Sequence, residues 1–182
     1  MRKVLAFAGG ALGLLGITGP PAAGSSATLV VLATAAGGPI DAAPAVVHLL
    51  LPGLVPYGTS TPGCAGPLPI GASSIPQVGN AGFAVTCANA PPSSSGFFGL
   101  SLGGLSTPLV LGALAVWINP FSPLFFEVVV PSDAAGNALV PLPIPPNPIL
   151  AGVQVFTQFA WFDSCAPGGF SASNALAITV QP

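Results

Sequence analysis

Charged side chains are nearly missing from this 182-residue chain, in which Asp, Glu, Lys and Arg together make up 3%. An ordinary soluble domain contains about 25%. Arg2 and Lys3 are the two basic residues, and neither Lys nor Arg occurs after position 3. Because the body of the chain cannot neutralise phosphates, we expect no nucleic-acid partner. The same lack removes the lysine of a phosphate-binding loop, Schiff-base chemistry and arginine clamps on carboxylates.

Titratable groups are also too few to build an enzyme active site by general acid–base chemistry. His48 is the sole histidine, and the acids are Asp41, Glu127, Asp133 and Asp163. Widely spaced cysteines and one distant histidine lack the close ligand pairs of a structural zinc site. We therefore expect a protein that is not an enzyme and that has no cofactor and no metal.

One enzyme-like motif occurs, since residues 99–103 fit the pattern G-x-S-x-G with Ser101 in the centre. A nucleophile elbow needs a strand, a sharp turn and a helix, with the acid and then the histidine following the serine. Here His48 precedes Ser101, and residues 104–108 are poor helix formers. In a chain rich in Gly and Ser we interpret the match as chance.

The first 27 residues predict a secretory signal peptide. Arg2 and Lys3 form a charged start, an apolar run follows to residue 19, and two prolines precede small residues that suit cleavage. Ala33-Thr34-Ala35 is a second candidate cleavage position. Residues 28–56 are interpreted as a leading strand near 29–33, followed by a linker-like segment that ends in the apolar run 46–51.

Residues 57–182 predict an antiparallel β-sandwich, either Ig-like or jelly-roll-like, because short β-type runs alternate with Pro, Gly, Ser and Asn clusters. Residues 81–88 place Phe83, Val85 and Cys87 on one face, and Trp161 falls on a core face. Turns are expected at 132–137 and 143–148. Further strands are expected in 109–118, 125–130, 152–162 and 175–181.

The apolar stretch 97–118 could suggest a membrane span, but Pro108 and a Gly pair interrupt it and no basic residue flanks it. We interpret it as two strands and a turn, and we expect no stable membrane span in the mature chain.

Three cysteines, Cys64, Cys87 and Cys165, occur in a chain that is predicted to be exported. Two of them can pair in a structural disulfide, and the sequence leaves the pairing open. Tyr57, Phe97 and Phe98 are candidate interaction residues, as aromatics that could form a sugar-stacking platform or a sticky patch.

Several segments within residues 57–182 carry a resemblance to known domains: 57–66, 76–83, 89–92, 132–138, 143–145, 150–152 with Gln158, and 173–179. Through them the chain resembles a group of small, largely uncharacterised secreted domains of exported proteins from environmental bacteria. The resemblance implies an exported β-sandwich and carries no catalytic residue to this chain. Many such domains place a cysteine just before the strand that here spans 114–118, whereas this chain has Gly112-Ala113 there.

These observations predict an exported, non-enzymatic structural or interaction protein at the cell surface or outside the cell. A nearly uncharged surface weakens the repulsion that keeps proteins monomeric, so the expected partners are the protein itself or other cell-surface and matrix components. The alternative is a module that binds an extracellular polysaccharide or a lipid through exposed aromatics.

Overall fold

The computed structural model describes residues 28–30, 46–48 and 51–182. The chain divides into two units, Met1–Leu49 and Leu50–Pro182. In the first, strands β1 (Thr28–Val30) and β2 (Val46–His48) pair antiparallel, with Thr28 opposite His48. The predicted signal peptide (residues 1–27) and Asp41 lie outside the described residues.

The second unit is all-β over its described residues, apart from two short 3₁₀ turns at Pro148–Leu150 and Pro167–Gly169. Its strands are β3 (Leu54–Tyr57), β4 (Ile70–Ala72), β5 (Ala84–Cys87), β6 (Ser95–Ser101), β7 (Gly104–Leu111), β8 (Leu114–Ile118), β9 (Phe125–Pro131), β10 (Ala138–Pro141), β11 (Gln154–Phe162), β12 (Phe170–Ala172) and β13 (Ala175–Thr179).

These strands form a six-stranded sheet, a three-stranded sheet and a separate two-stranded hairpin, β7–β8. The six-stranded sheet has the order β3-β13-β11-β6-β9, with β12 also paired to β11, and the three-stranded sheet has the order β10-β5-β4. Every ladder between these strands is antiparallel. The predicted all-β class with antiparallel sheets is confirmed.

One hydrophobic core takes buried side chains from both larger sheets. Phe83, Val85 and Cys87 are buried, as the alternation along this segment predicts. From the six-stranded sheet, Phe159 packs against Phe98 at 4.9 Å between ring centroids and stacks on Trp161 at 6.4 Å. Trp161 is fully buried, which confirms its predicted place in the core.

The boundaries differ from the sequence prediction at two places. Leu54 and Val55 pair with β13, so the compact unit includes residues 50–56, which the sequence assigns to a linker-like segment. The sequence predicts one strand in 109–118 and two strands over 97–118, but this region contains three, β6, β7 and β8. The run 109–118 divides because Gly112 takes a φ of +64° at the hairpin tip. Among the described residues, no helix has the length and hydrophobicity needed to cross a membrane.

The turn at 132–137 forms as its residue types predict. One carboxylate oxygen of Asp133, Oδ1, accepts hydrogen bonds from the backbone N–H groups of Ala135 and Asn137, both at 2.8 Å. Hydrogen bonding to Asn137 and neighbouring N–H groups lowers the pKa of Asp133. Gly136 has a φ of +77°, a conformation that glycine adopts without strain.

Candidate functional site

The outer face of the six-stranded sheet, turned away from the core, is the candidate functional surface. Its members follow from the register, because alternate side chains of a strand share one face. Phe97 lies opposite Val129 on one side and Ala160 on the other, and Phe162 lies opposite Phe170. Charge is nearly absent here: Glu127, opposite Gly99, is the one charged residue that these strands place on this face.

The β7–β8 hairpin is held to this face by the side-chain amide of Gln158, which is 5% exposed. Its Nε2 donates to the carbonyl oxygens of Ala115 (2.8 Å) and Ser173 (2.9 Å), while its Oε1 accepts from the N–H of Trp117 (2.8 Å). A polar side chain at this depth is stable because its amide is hydrogen-bonded. The hydrogen bonds of the Gln158 side chain therefore attach β8 to β11.

A group of aromatic side chains also holds β8, at Trp117. The hydroxyl of Tyr57 donates to the carbonyl oxygen of Trp117 at 3.0 Å, and the Tyr57 ring meets the ring of Phe156 edge-on at 5.9 Å. The indole Nε1 of Trp117 donates to the carbonyl oxygen of Thr59 at 2.9 Å. Burial raises the pKa of Tyr57 to about 12, from an ordinary value of about 10.

Gly58 lies directly against the indole ring of Trp117, at a φ of +69°. A Cβ at this position would overlap three ring atoms, and the positive φ would strain any L side chain. The close approach of the chain to Trp117 thus requires glycine here.

A cavity of about 210 Å³ opens between the hairpin and the outer face. Its wall is almost entirely apolar, and among the residues that the structure describes Glu127 is the only charged one that lines it. Gln158 also lines it, but its amide is engaged by the hairpin. The cavity is smaller than the ~300 Å³ at which pockets for drug-sized ligands begin. Its size therefore suits a small apolar molecule or the end of a longer acyl chain. The other lining residues are Phe97, Gly99, Leu111, Leu114, Val116, Ile118, Pro120, Phe125, Phe159, Ala160, Phe170 and Ala172.

Three phenylalanines form an aromatic cluster, Phe97–Phe162–Phe170, beside this cavity. The ring centroids of Phe97 and Phe162 are 5.7 Å apart, and those of Phe162 and Phe170 are 5.0 Å apart. Phe162 is 57% exposed and Val129, next to Phe97 across the ladder, is 67% exposed. A contiguous apolar surface with so little charge is typical of an interaction site.

The three candidate interaction residues occupy different environments. Phe97 is half-buried and belongs to the aromatic cluster, whereas Tyr57 is half-buried and braces the hairpin. Phe98 does not belong to an exposed surface, because adjacent residues of a strand face opposite sides and Phe98 faces inward, with no solvent exposure. Phe162 and Phe170 are not among the residues predicted from the sequence, because they become neighbours only through the pairing of β11 with β12.

Cys64 and Cys165 form the disulfide, which settles the pairing that the sequence leaves open. Between their loops lies the carboxylate of Asp163, which is 4% exposed. It accepts hydrogen bonds from the N–H groups of Cys64 (3.2 Å) and Cys165 (3.0 Å). The Cys64 sulfur also lies 3.1 Å from Oδ1, a contact without a hydrogen because a disulfide sulfur carries none. The remaining thiol, Cys87, is buried in the core, and burial raises its pKa to about 12.

Ser101 has the environment of a structural serine. It is fully buried at the end of β6, donates to the carbonyl oxygen of Asn119 at 2.8 Å, and accepts from the N–H of Gly103 at 3.0 Å. The chain continues into β7 and not into a helix, so the strand–turn–helix context of a nucleophile elbow is not formed. The side chain of His48 lies outside the described part of the structure.

Comparisons of this chain with protein-family models, curated proteins and solved structures find no match.

Proposed function

We propose that this chain is an exported, non-enzymatic structural or interaction protein that self-associates through the outer face of its six-stranded sheet. The aromatic cluster is the observation that carries the proposal: Phe162, which is 57% exposed, packs against both Phe97 and Phe170. Burying such a surface removes apolar area from water. Glu127 is the one charged residue that the strands of this sheet place on the outer face, so it is the one charge there that association would desolvate.

Export is supported by the predicted signal peptide of residues 1–27 and by the Cys64–Cys165 disulfide, because structural disulfides persist mainly in oxidising compartments. In the proposed fold the six-stranded and three-stranded sheets are the two layers of a β-sandwich, an interpretation supported by the core that draws on both. The protein would be secreted or act at the cell surface.

Sedimentation equilibrium over a wide concentration range tests self-association. The protein should be recovered from the medium of a secreting host, with its N-terminus identified by mass spectrometry. We expect Phe162→Ser to weaken association by about 10-fold, since a well-packed aromatic anchor at an interface contributes more than ~1 kcal/mol.

Phe121→Ser is the matched control, because Phe121 is 84% exposed but lies in the turn after β8 and not in the cluster. We expect this control to associate like the parent. A parent protein that stays monomeric at every concentration would overturn the proposal, as would equal effects of the two substitutions.

The apolar cavity favours lipid binding as a second candidate function. Polysaccharides are recognised through hydrogen bonds as well as stacking. The cavity wall has the Glu127 carboxylate for such bonds, but the Gln158 amide is already hydrogen-bonded to the hairpin. A short acyl chain or another small apolar molecule fits its chemistry better. Titration with the neutral fluorescent probe N-phenyl-1-naphthylamine should give saturable binding that Ala160→Leu, which fills the cavity, reduces. Binding that is unchanged by Ala160→Leu would contradict this function.

A further inference from the structure

The β9 strand is a long and apolar edge of the six-stranded sheet. It is the last strand in the sheet order, seven residues long, with the sequence Phe-Phe-Glu-Val-Val-Val-Pro. Phe125, Phe126, Glu127 and Val129 are all exposed. An edge of this kind, long and rich in β-branched and aromatic residues, is a template for pairing with another strand.

The direction of the main-chain groups of β9 follows from two hydrogen bonds at the ends of its ladder with β6. The N–H of Leu102 donates to the carbonyl oxygen of Leu124 (3.2 Å), and the N–H of Ser132 donates to that of Ser94 (2.9 Å). Hydrogen-bonded and non-hydrogen-bonded pairs alternate along an antiparallel ladder. The even-numbered residues of β9 therefore bond to β6.

The N–H and C=O groups of Phe125, Glu127 and Val129 consequently face away from the sheet. Within residues 51–182 no main-chain or side-chain group hydrogen-bonds to them from the open side. Pro131, the next residue with this orientation, has no N–H and ends the row. Three alternate residues of β9 thus offer donors and acceptors that no group within residues 51–182 pairs.

The other edges of the two larger sheets, β3, β4 and β10, are three or four residues long, and each is blocked at one outward position. The same alternation places Pro56 of β3 and Pro141 of β10 with their nitrogen toward the open side, where proline removes the donor. On β4 the outward N–H of Ile70 is already bonded to Oδ1 of Asn174 at 3.2 Å. Among the described residues, each of these edges keeps at most one outward N–H without a partner, such as that of Leu139 on β10, whereas β9 has three.

We propose that β9 pairs antiparallel with β9 of a second copy of this chain, so that the two six-stranded sheets continue into one another. The inference rests on the proposed self-association and adds to the outer face a second contact, the β9 edge of the same sheet, with another copy of the chain as the partner. Full overlap of the seven residues puts Val128 opposite its own copy and Glu127 opposite Val129, so the two carboxylates avoid direct opposition, which would destabilise the pair. Identical edges are self-complementary under a two-fold axis.

Val129→Pro tests this pairing without touching the β6 ladder, because the N–H that proline removes faces the open edge. Two-fold symmetry removes that donor twice, and at about 1 kcal/mol per hydrogen bond we expect the dimer dissociation constant to rise about 30-fold. Leu139→Pro is the matched control: Leu139 is 57% exposed and its N–H also faces an open edge, on β10. We expect it to dimerise like the parent in sedimentation equilibrium.

The outcomes separate this inference from the proposed function. If the parent protein and Val129→Pro associate equally well, pairing at β9 is wrong, but self-association through another surface is retained. A monomeric parent overturns both. If circular dichroism shows that Val129→Pro is unfolded, Val129→Lys decides, because it keeps the N–H and adds a charge of the kind that guards natural edges. Undiminished association of Val129→Lys would then overturn the inference.

Discussion

Loss of the Cys64–Cys165 disulfide should remove a large part of the stability of this protein. The two cysteines are 101 residues apart in sequence, so the bond closes a long loop in the unfolded chain. In the chain-entropy account, a loop of about 100 residues corresponds to about 4–5 kcal/mol at 25 °C. Small domains are stable by only ~5–15 kcal/mol, so the double variant Cys64→Ser/Cys165→Ser should be marginally folded.

Urea unfolding followed by tryptophan fluorescence measures this loss. With a slope of about 2 kcal/mol/M, we expect the midpoint of the double variant to fall by about 2 M. Chemical reduction of the parent should give the same shift, because Cys87 is buried outside the disulfide and its raised pKa keeps it a thiol. A loss below about 1 kcal/mol would refute the reasoning, since it would show that the bond does not constrain the unfolded chain.

Three further perturbations test how the hairpin is held. Tyr57→Phe should cost about 1 kcal/mol through the lost bond to Trp117. It should also flatten the alkaline stability profile: the pKa of Tyr57 is raised on folding, so its contribution is complete below pH 10 and is lost as the pH rises toward 12. Unfolding midpoints measured between pH 8 and 12 check both effects, and parallel profiles for parent and variant would contradict the second. Gln158→Leu should leave the N–H of Trp117 without its acceptor and cost about 2–3 kcal/mol, and faster hydrogen exchange in β8 than in β13 would report the loosened hairpin. Gly58→Ala should destabilise by more than 1 kcal/mol, because its Cβ overlaps the indole of Trp117; thermal melts that match the parent would argue against the contact.

The local pattern of residue types in the sequence was sufficient to predict much of the fold. The alternation of Phe83, Val85 and Cys87 is visible in the sequence and predicts a face that the structure buries. The turn at Asp133 is likewise encoded by its own residues, since one carboxylate caps two nearby N–H groups. Such features depend on neighbours within a few positions, where side-chain chemistry decides the geometry.

The candidate site was not predictable in the same way, because it is assembled across the chain. Phe97 and Phe98 are adjacent and equally apolar, and only the pairing of β6 with β11 decides which one faces the core. Phe170 reaches the cluster through β12. The open edge of β9 depends on sheet order, a long-range property that no segment carries alone.

Residue-resolved hydrogen exchange tests the central claim of self-association through β9 most directly. The amides of Phe125, Glu127 and Val129 should exchange rapidly in dilute solution, because they face the open edge. They should slow as the concentration passes the dimer dissociation constant, while the outward amide of Leu139 on β10 exchanges at one rate throughout. Association without any slowing at these three amides would contradict pairing at β9, and a parent that stays monomeric at every concentration would contradict self-association itself.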